Sequence, residues 1–285
     1  MNRFYSVSPK IFTNATEVGI VLNSFGFDKG RFLAALPKSF LRELFDTAAG
    51  FSELEGKRVR ALVEKNKHAL LKLGLPYDGN KTWLENSLHL IEQNCLHGAL
   101  CNEDVGSEQI FTLDDVADGE LPISDGARDY ATAENIIKYM SVILKTSLEV
   151  FFIDPYFSLG KAKYINFLQA LLQHPDSKDT SYVFFCKLEH FSTRESFDSL
   201  AQRHLRQHMA QGCSLTVYPL AGEAEMHGRY VFNIHGGVDY DKGFQVDESV
   251  RVDFSAMPRA LHASYFDEYS ELLRNEATDY RLKAD

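Results

Sequence analysis

Three short apolar runs, separated by segments of helical spacing, constrain the fold of this chain most. The predicted elements alternate as helix 133–145, strand 148–157, helix 163–172, strand 181–188, helix 194–210, strand 214–218 and a last helix 261–274. Strands joined through helices of this length pair in parallel, because the crossover returns the chain to the same end of the sheet. We therefore predict the α/β class for residues 130–285, with a mostly parallel sheet covered by helices.

Residues 1–101 show helical periodicity and are predicted to form an all-helical region. Val18, Val21, Leu22 and Phe25 recur at the spacing of one helix face. The predicted helix over 54–73 carries six lysines and arginines opposite its apolar side. That basic side either follows a phosphate backbone or is an ordinary solvated surface, and we favour the second interpretation.

Residues 102–129 form an acidic segment between these two parts. From 102 to 127 the chain has eight aspartates and glutamates and no lysine or arginine. Glycines and a proline interrupt any periodicity there. We predict a linker or an acidic surface loop. A strip that binds a partner or imitates the charge of nucleic acid is the alternative.

The charge of the whole chain limits the classes of ligand. With 40 acidic and 30 basic residues, the formal net charge is −10. This balance argues against non-specific coating of DNA, which requires a basic face. It is compatible with a local basic groove or with a basic protein partner.

Other features of the sequence bear on location and cofactors. The N-terminus lacks an apolar signal core, and no run approaches the ~18–20 apolar residues of a membrane span, so a cytoplasmic location is expected. Cys95, His97 and Cys101 are zinc-ligand types, but no fourth ligand stands nearby. We predict neither a metal nor another cofactor.

Polar residues follow the predicted strands at the sheet edge where α/β folds bind ligands. Asp154 and Tyr156 flank a proline after the first of these strands, and Lys187 ends the second. His227 and Arg229 stand two apart on a further predicted strand, so their side chains share one face. Such a pair can hold a phosphate, and the histidine can also attack one. We expect Arg229, His227 and Lys187 to bind phosphate, supported by Asp154 and Tyr156.

Each of these residues also has a structural interpretation. Asp154 can cap the turn that follows it, and Lys187 can be a solvated strand end. His227 and Arg229 can instead serve an internal salt bridge to Asp154 or Glu225.

The order of strands and helices, the His-x-Arg pair and the glycines at 236, 237 and 243 resemble a phospholipase-D-like domain over residues 130–270. That superfamily carries the signature H-x-K-x4-D, in which the histidine attacks a phosphodiester and the lysine holds the phosphoryl oxygens. Two such motifs meet at one site, across an internal duplication or a homodimer. The resemblance implies a nucleophilic role for His227 and a phosphate-binding role for Arg229.

The sequence departs from this signature. Arg229 stands at the lysine position and Ile234 at the aspartate position, which removes a usual support of the histidine. Asn233 and Asp239 are candidates to replace that support. Only one motif is present, so a two-histidine site requires a dimer. The segment is also similar to the C-terminal domain of trafficking-domain proteins, regarded as a non-catalytic membrane-binding branch, and to uncharacterised bacterial proteins from genome-defence settings.

We therefore predict an accessory or binding subunit that grips a phosphate-bearing ligand, nucleic acid rather than lipid, within a multi-protein bacterial system such as phage defence. The expected partners are other protein chains or a second copy, with nucleic acid as a further candidate and a membrane surface disfavoured but not excluded. One alternative is a metal-independent phosphodiesterase or nuclease that uses His227 as nucleophile across a homodimer. A purely structural interaction subunit is the other.

Overall fold

The computed structural model describes residues 2–103, 106–122, 124, 126–190, 193–220, 226, 228–275 and 280–283. The chain divides into two compact units, Met1–Asp125 and Gly126–Asp285. Among the described residues no helix combines the length and the apolar character needed to cross a membrane.

The first unit contains a parallel sheet of five strands in the order β3-β2-β1-β4-β5. Its strands are β1 (Arg3–Val7), β2 (Arg31–Ala34), β3 (Leu70–Leu71), β4 (Gly98–Leu100) and β5 (Ile110–Phe111). Its helices are α1 (Ala15–Asn23), α2 (Phe40–Ala48), α3 (Glu53–Lys65), α4 (Trp83–Glu92) and α5 (Leu113–Ala117). The strand order reverses between β1 and β4, as in doubly wound α/β folds.

Apolar residues form two separate cores in this unit. One core joins α1, α2, α3 and α5 to the sheet and includes Tyr5, Val18 and Leu44. The other gathers residues of α4 and its neighbouring strands, including Leu36, Leu90 and Ala99.

The predicted all-helical nature of residues 1–101 is therefore wrong. The helices exist, but four strands lie between them. These strands have only two to five residues each. Runs this short carry too little period-2 signal to be separated from the ends of neighbouring helices.

The segment 102–129, predicted as a linker or acidic loop, contains regular elements. β5 and α5 complete the first unit, and the second unit begins with β6 (Gly126–Ala131). Two acidic residues there have a local role: Asp114 lies in the first turn of α5, and the Asp115 side chain accepts hydrogen bonds from Thr112 in a capping box.

The second unit contains an eight-stranded sheet in the order β13-β9-β8-β7-β10-β11-β12-β6. Its further strands are β7 (Glu149–Ile153), β8 (Ser181–Lys187), β9 (Ser214–Leu220), β10 (Tyr230–Asn233), β11 (Gly236–Tyr240), β12 (Asp247–Ala256) and β13 (Tyr280–Lys283). Its helices are α6 (Ala133–Thr146), α7 (Ala162–Leu172), α8 (Arg194–His204) and α9 (Arg259–Asn275).

The sheet of the second unit is mixed, and the prediction of a mostly parallel sheet is correct only for its central strands. β7, β8 and β9 pair in parallel through the crossover helices α7 and α8. All other neighbouring strands pair antiparallel. One reason is the connection: no helix lies between β10, β11 and β12, all of whose residues are described, so each of these strands reverses direction.

Helices cover both faces of the central strands. On one face Phe152 packs against Phe167 of α7, and the Tyr240 hydroxyl donates to a carbonyl of α6. On the other face Phe151 and Phe185 contact aromatic rings of α9. The α/β class predicted from the alternating runs is confirmed.

Candidate functional site

Antiparallel pairing of β7 and β10 brings two of the predicted site residues to one rim of the sheet. Tyr230 pairs with Ile153, so Arg229 and Asp154 come next in register. Arg229 has the same strand parity as Asn233, whose side chain contacts α6, and Asp154 contacts α7. Asp154 and Arg229 therefore share one face of the sheet.

Asp154 is buried and organises the chain around it, with 1% of its surface exposed. Its Oδ1 accepts a hydrogen bond from the N–H of Tyr156 at 3.0 Å, which caps the turn after β7. Its Oδ2 accepts from the Tyr164 hydroxyl at 2.8 Å and from the N–H of Phe244 at 3.4 Å. Burial raises the pKa of Asp154, although these hydrogen bonds and the charge of Arg229 act in the opposite direction.

Arg229 lies just before β10 and is partly exposed. Its guanidinium stands over the ring of Tyr156, 4.9 Å from the centroid, and its Nη1 donates to the carbonyl of Asp241 at 3.3 Å. Within the described part of the chain, no carboxylate oxygen lies within 4.0 Å of a guanidinium nitrogen of Arg229. The salt bridge to Asp154, one of the two alternatives in the structural interpretation, is thus not formed.

Gly243 lets the backbone pack directly on these two side chains. A Cβ at this position would lie 2.5 Å from Oδ2 of Asp154 and 3.1 Å from Cγ of Arg229, and the φ of +75° is itself unfavourable for other residues. The loop after β11 therefore fixes the spacing between Asp154 and Arg229.

A cavity of about 310 Å³ opens beside Arg229. It is lined by Gly228, Arg229, Tyr230, Asp239, Asp241, Asp253 and Ser255. Burial and the neighbouring carboxylate of Asp241 raise the pKa of Asp239, and the charge of Arg229 partly offsets this. The lining thus holds three carboxyl groups, of which Asp253 lies 3.6 Å from Nε of Arg128, and the cavity is acidic.

The aspartates of this cavity were missed as a group. The sequence indicates Asp239 only as a replacement for the motif aspartate and gives no signal for Asp253. Asp239 pairs with Ser255 across β11 and β12, and Asp253 lies two residues earlier on the same face. The sequence shows which residues of one strand share a face. It does not show which residues of β11 and β12 lie opposite each other, and that register brings Asp239 and Asp253 together.

On the other side of Arg229, Tyr156 is surrounded by basic groups. Tyr156 is 41% exposed, and its ring lies 5.3 Å from the ring of His190 between centroids, with the two planes inclined by 40°. Nζ of the exposed Lys161 donates to the Tyr156 carbonyl at 3.2 Å. Glu189 is the opposing charge, 3.4 Å from Nε2 of His190.

Lys187 does not join this group. It follows Phe185 by two positions on β8, and Phe185 packs against α9. Lys187 therefore faces the α9 side of the sheet, whereas Asp154 faces the α7 side. The expectation that Lys187 and Arg229 bind one phosphate together has no support in this geometry.

Asn233 and Ile234 lie at the other end of β10. Asn233 is buried; its Nδ2 donates to the Ile143 carbonyl and to Thr146 of α6, and its Oδ1 accepts from the N–H groups of residues 235 and 236. Ile234 is 59% exposed in the turn between β10 and β11. At ~3.3 Å per residue, Ile234 is ~16 Å from Arg229 along the strand. Neither residue supports the rim that holds Arg229.

Two predicted residues, His227 and Glu225, lie outside the described residues. The nucleophile of the phosphodiesterase hypothesis and the alternative salt-bridge partner of Arg229 therefore stay predictions. The described strand nearest to Arg229, β10, begins at Tyr230.

Comparison with known proteins gives little that bears on function. No family model matches the chain. No curated protein matches it. Among solved structures, it is similar to TrmBL2, described as an archaeal chromatin protein with a novel mode of DNA binding. The two are 9% identical, the match covers 85% of this chain and 70% of TrmBL2, and the TM-score is 0.27.

Proposed function

We propose that this chain is an accessory or binding subunit whose second unit, of phospholipase-D-like type, grips a phosphate-bearing ligand through Arg229. The proposal rests on the hydrogen-bond donors of the Arg229 guanidinium that its described contacts leave available. The guanidinium has five N–H donors, and its described contacts are one carbonyl and one aromatic ring. A phosphate oxygen pair matches the donors that are left.

The charges around Arg229 favour the approach of a phosphate from the side of Tyr156 over approach from the cavity. Asp239, Asp241 and Asp253 line the cavity and oppose a polyanion that lies across it. Lys161 stands on the side of Tyr156 and favours an anion there. We therefore place the phosphate beside Arg229 on the side of Lys161, outside the acidic cavity.

Nucleic acid is the favoured ligand over lipid. Arg229 and Lys161 are the two cations that could bind successive phosphates of a nucleic acid strand. Both contact Tyr156, an aromatic residue. A basic group next to an aromatic side chain is typical of proteins that bind single strands.

Binding of an end-labelled single-stranded oligothymidylate, measured by fluorescence anisotropy at low salt, tests the proposal. We expect Arg229→Ala to weaken binding by about 10-fold or more, the order associated with a lost charge-assisted hydrogen bond. The slope of log K against log[salt] should become less negative by about 1.

Arg251→Ala is the matched control. Arg251 lies over the ring of Tyr130, 5.0 Å from the centroid, in the same unit but outside the cavity lining. Its removal should leave the affinity unchanged. Equal losses from Arg229→Ala and Arg251→Ala would show that any surface arginine suffices. The absence of binding to both oligonucleotide and anionic phospholipid vesicles would refute the phosphate-binding function.

The phosphodiesterase hypothesis is the second candidate, because the position of Ile234 removes one argument against it. An aspartate at position 234 would lie at the opposite end of β10 from Arg229. The absence of that aspartate therefore removes no contact from the residues around Arg229. Turnover of the oligonucleotide by the wild type but not by His227→Ala would support catalysis. Equal, negligible turnover would reject it.

A further inference from the structure

We propose that Tyr156, flanked by His190, forms a stacking surface for a base of single-stranded nucleic acid whose adjacent phosphate is held by Arg229. This inference rests on the phosphate-binding function proposed above and adds the class of ligand. A base and its phosphate are covalently linked, so one ligand can occupy both places.

The backbone of Tyr156 is held by two hydrogen bonds, and its ring contacts the Arg229 guanidinium and the His190 ring. Its backbone N–H is bound by the buried carboxylate of Asp154, and its carbonyl accepts from Lys161. The side chain remains 41% exposed. A rigid aromatic group of this kind loses little conformational entropy when another ring stacks on it.

His190 extends this surface. Its side chain is 34% exposed, and its ring is inclined by 40° to that of Tyr156, so the two rings do not cover each other face to face. Aromatic rings prefer offset or inclined contacts, and every nucleobase presents a π-face to such a pair. A lipid headgroup has no equivalent ring.

The charges around the ring fit a nucleotide better than an uncharged aromatic ligand. Arg229 lies 4.9 Å from the ring centroid and Lys161 is bonded to the carbonyl of the same residue. Glu189, beside His190, is the acidic group that opposes them. Arg229 and Lys161 both contact Tyr156. A phosphate bound by them would therefore lie next to a base stacked on the Tyr156 ring.

The protein contains a matched pair of side chains for comparison. Tyr130 is 43% exposed and lies under Arg251 at 5.0 Å, close to the 41% and 4.9 Å of Tyr156 and Arg229. The described contacts of the Tyr130 ring include no second aromatic ring, whereas Tyr156 has His190. Exposure and cation contact are therefore the same at both positions.

The test compares two end-labelled single strands of equal length at one salt concentration: oligothymidylate, and an abasic strand with the same phosphates. We expect the full chain to bind oligothymidylate about 10-fold more tightly, the order found for one stacked base. Tyr156→Ala should abolish that preference, so that the two strands bind with equal affinity. Tyr156→Phe and Tyr130→Ala should both keep the preference, and unchanged melting temperatures would show that all variants fold.

The outcomes separate the two proposals. Equal affinity of the wild type for both strands, with Arg229→Ala still weakening each, overturns base stacking and leaves phosphate binding in place. If the protein binds anionic vesicles but neither strand, and Arg229→Ala weakens that binding, base stacking is again overturned and phosphate binding stays in place. A preference for bases that survives Tyr156→Ala also overturns the inference.

Discussion

Asp154 is buried at the rim, and its hydrogen bonds join three segments: the turn after β7, helix α7 and the loop before β12. These contacts make it a positioning residue for Tyr156 and, through Gly243, for Arg229. The carboxylate itself is covered by its partners. It shapes the rim without offering an oxygen to a ligand.

Asp154 also predicts how stability depends on pH. Burial raises its pKa in the folded protein above the ordinary value of 3.8. A raised pKa contributes stability that is fully present below the unfolded pKa and is lost as pH rises through the folded pKa. The free energy of unfolding of the wild type should therefore fall relative to that of Asp154→Asn as pH rises above about 4. Urea denaturation of both proteins across this range measures the difference, and a rise in its place would contradict the shift.

The residues of the rim were partly predictable from the sequence. Asp154, Tyr156 and Arg229 gather because all three stand at strand ends, a position that apolar runs reveal. Lys187 also stands at a strand end but faces the other side of the sheet. The side of the sheet that Lys187 faces depends on the register of β8. A shift of one residue in that register would turn Lys187 to the opposite side.

The β10–β11 hairpin is the element that connects the rim to the rest of the second unit. The carbonyl of Arg229 accepts from the N–H of Tyr240 at 2.8 Å, next to the cavity. At the other end Asn233 ties the turn to α6, and its carbonyl lies 2.7 Å from Nε2 of His262 on α9. One short strand thus spans from the rim to both helical layers.

Asn233→Ala should destabilise the fold while sparing the rim. It removes the donors to Ile143 and Thr146 and the acceptor for two backbone N–H groups, so we expect a loss of about 2–4 kcal/mol in the free energy of unfolding. Asn80→Ala, at an exposed position, should change it by less than about 0.5 kcal/mol. Chemical denaturation gives both values. Oligothymidylate affinity of folded Asn233→Ala should equal that of wild type, since Arg229 is ~13 Å away along the strand.

Strand length decided which elements the sequence could reveal. β7, β8 and β9 have five to seven residues and stand between well-formed helices, and each was predicted. β3 and β5 have two residues each and were not. The antiparallel strands from β10 onward were harder to place, because pairing between β12 and β6 joins residues more than a hundred positions apart.

On the scale of the whole molecule, each unit has its own sheet and its own buried core. The first unit has the clusters around Tyr5 and Leu90, and the second has the cluster around Phe151 and Phe185. The rim with Asp154, Tyr156 and Arg229 belongs to the second unit alone. The described residues of the candidate site thus all fall within residues 126–285.

This division predicts that the second unit is sufficient for binding. A fragment of residues 126–285 should fold, with a circular dichroism spectrum of mixed helix and strand, and should bind oligothymidylate with the affinity of the full chain. Titration by fluorescence anisotropy compares the two. A folded fragment with markedly weaker binding would show that residues 1–125 contribute to the ligand site.

The turn that carries Ile234 affects how relatives of this chain should be recognised. A signature of the form H-x-K-x4-D tests two places at once, the rim beside Arg229 and a solvent-exposed turn at the opposite end of β10. Those places have different neighbours and can change independently. A protein can therefore lack the aspartate of the signature and still keep a cation at the rim, so relatives should be sought by the residues of the rim.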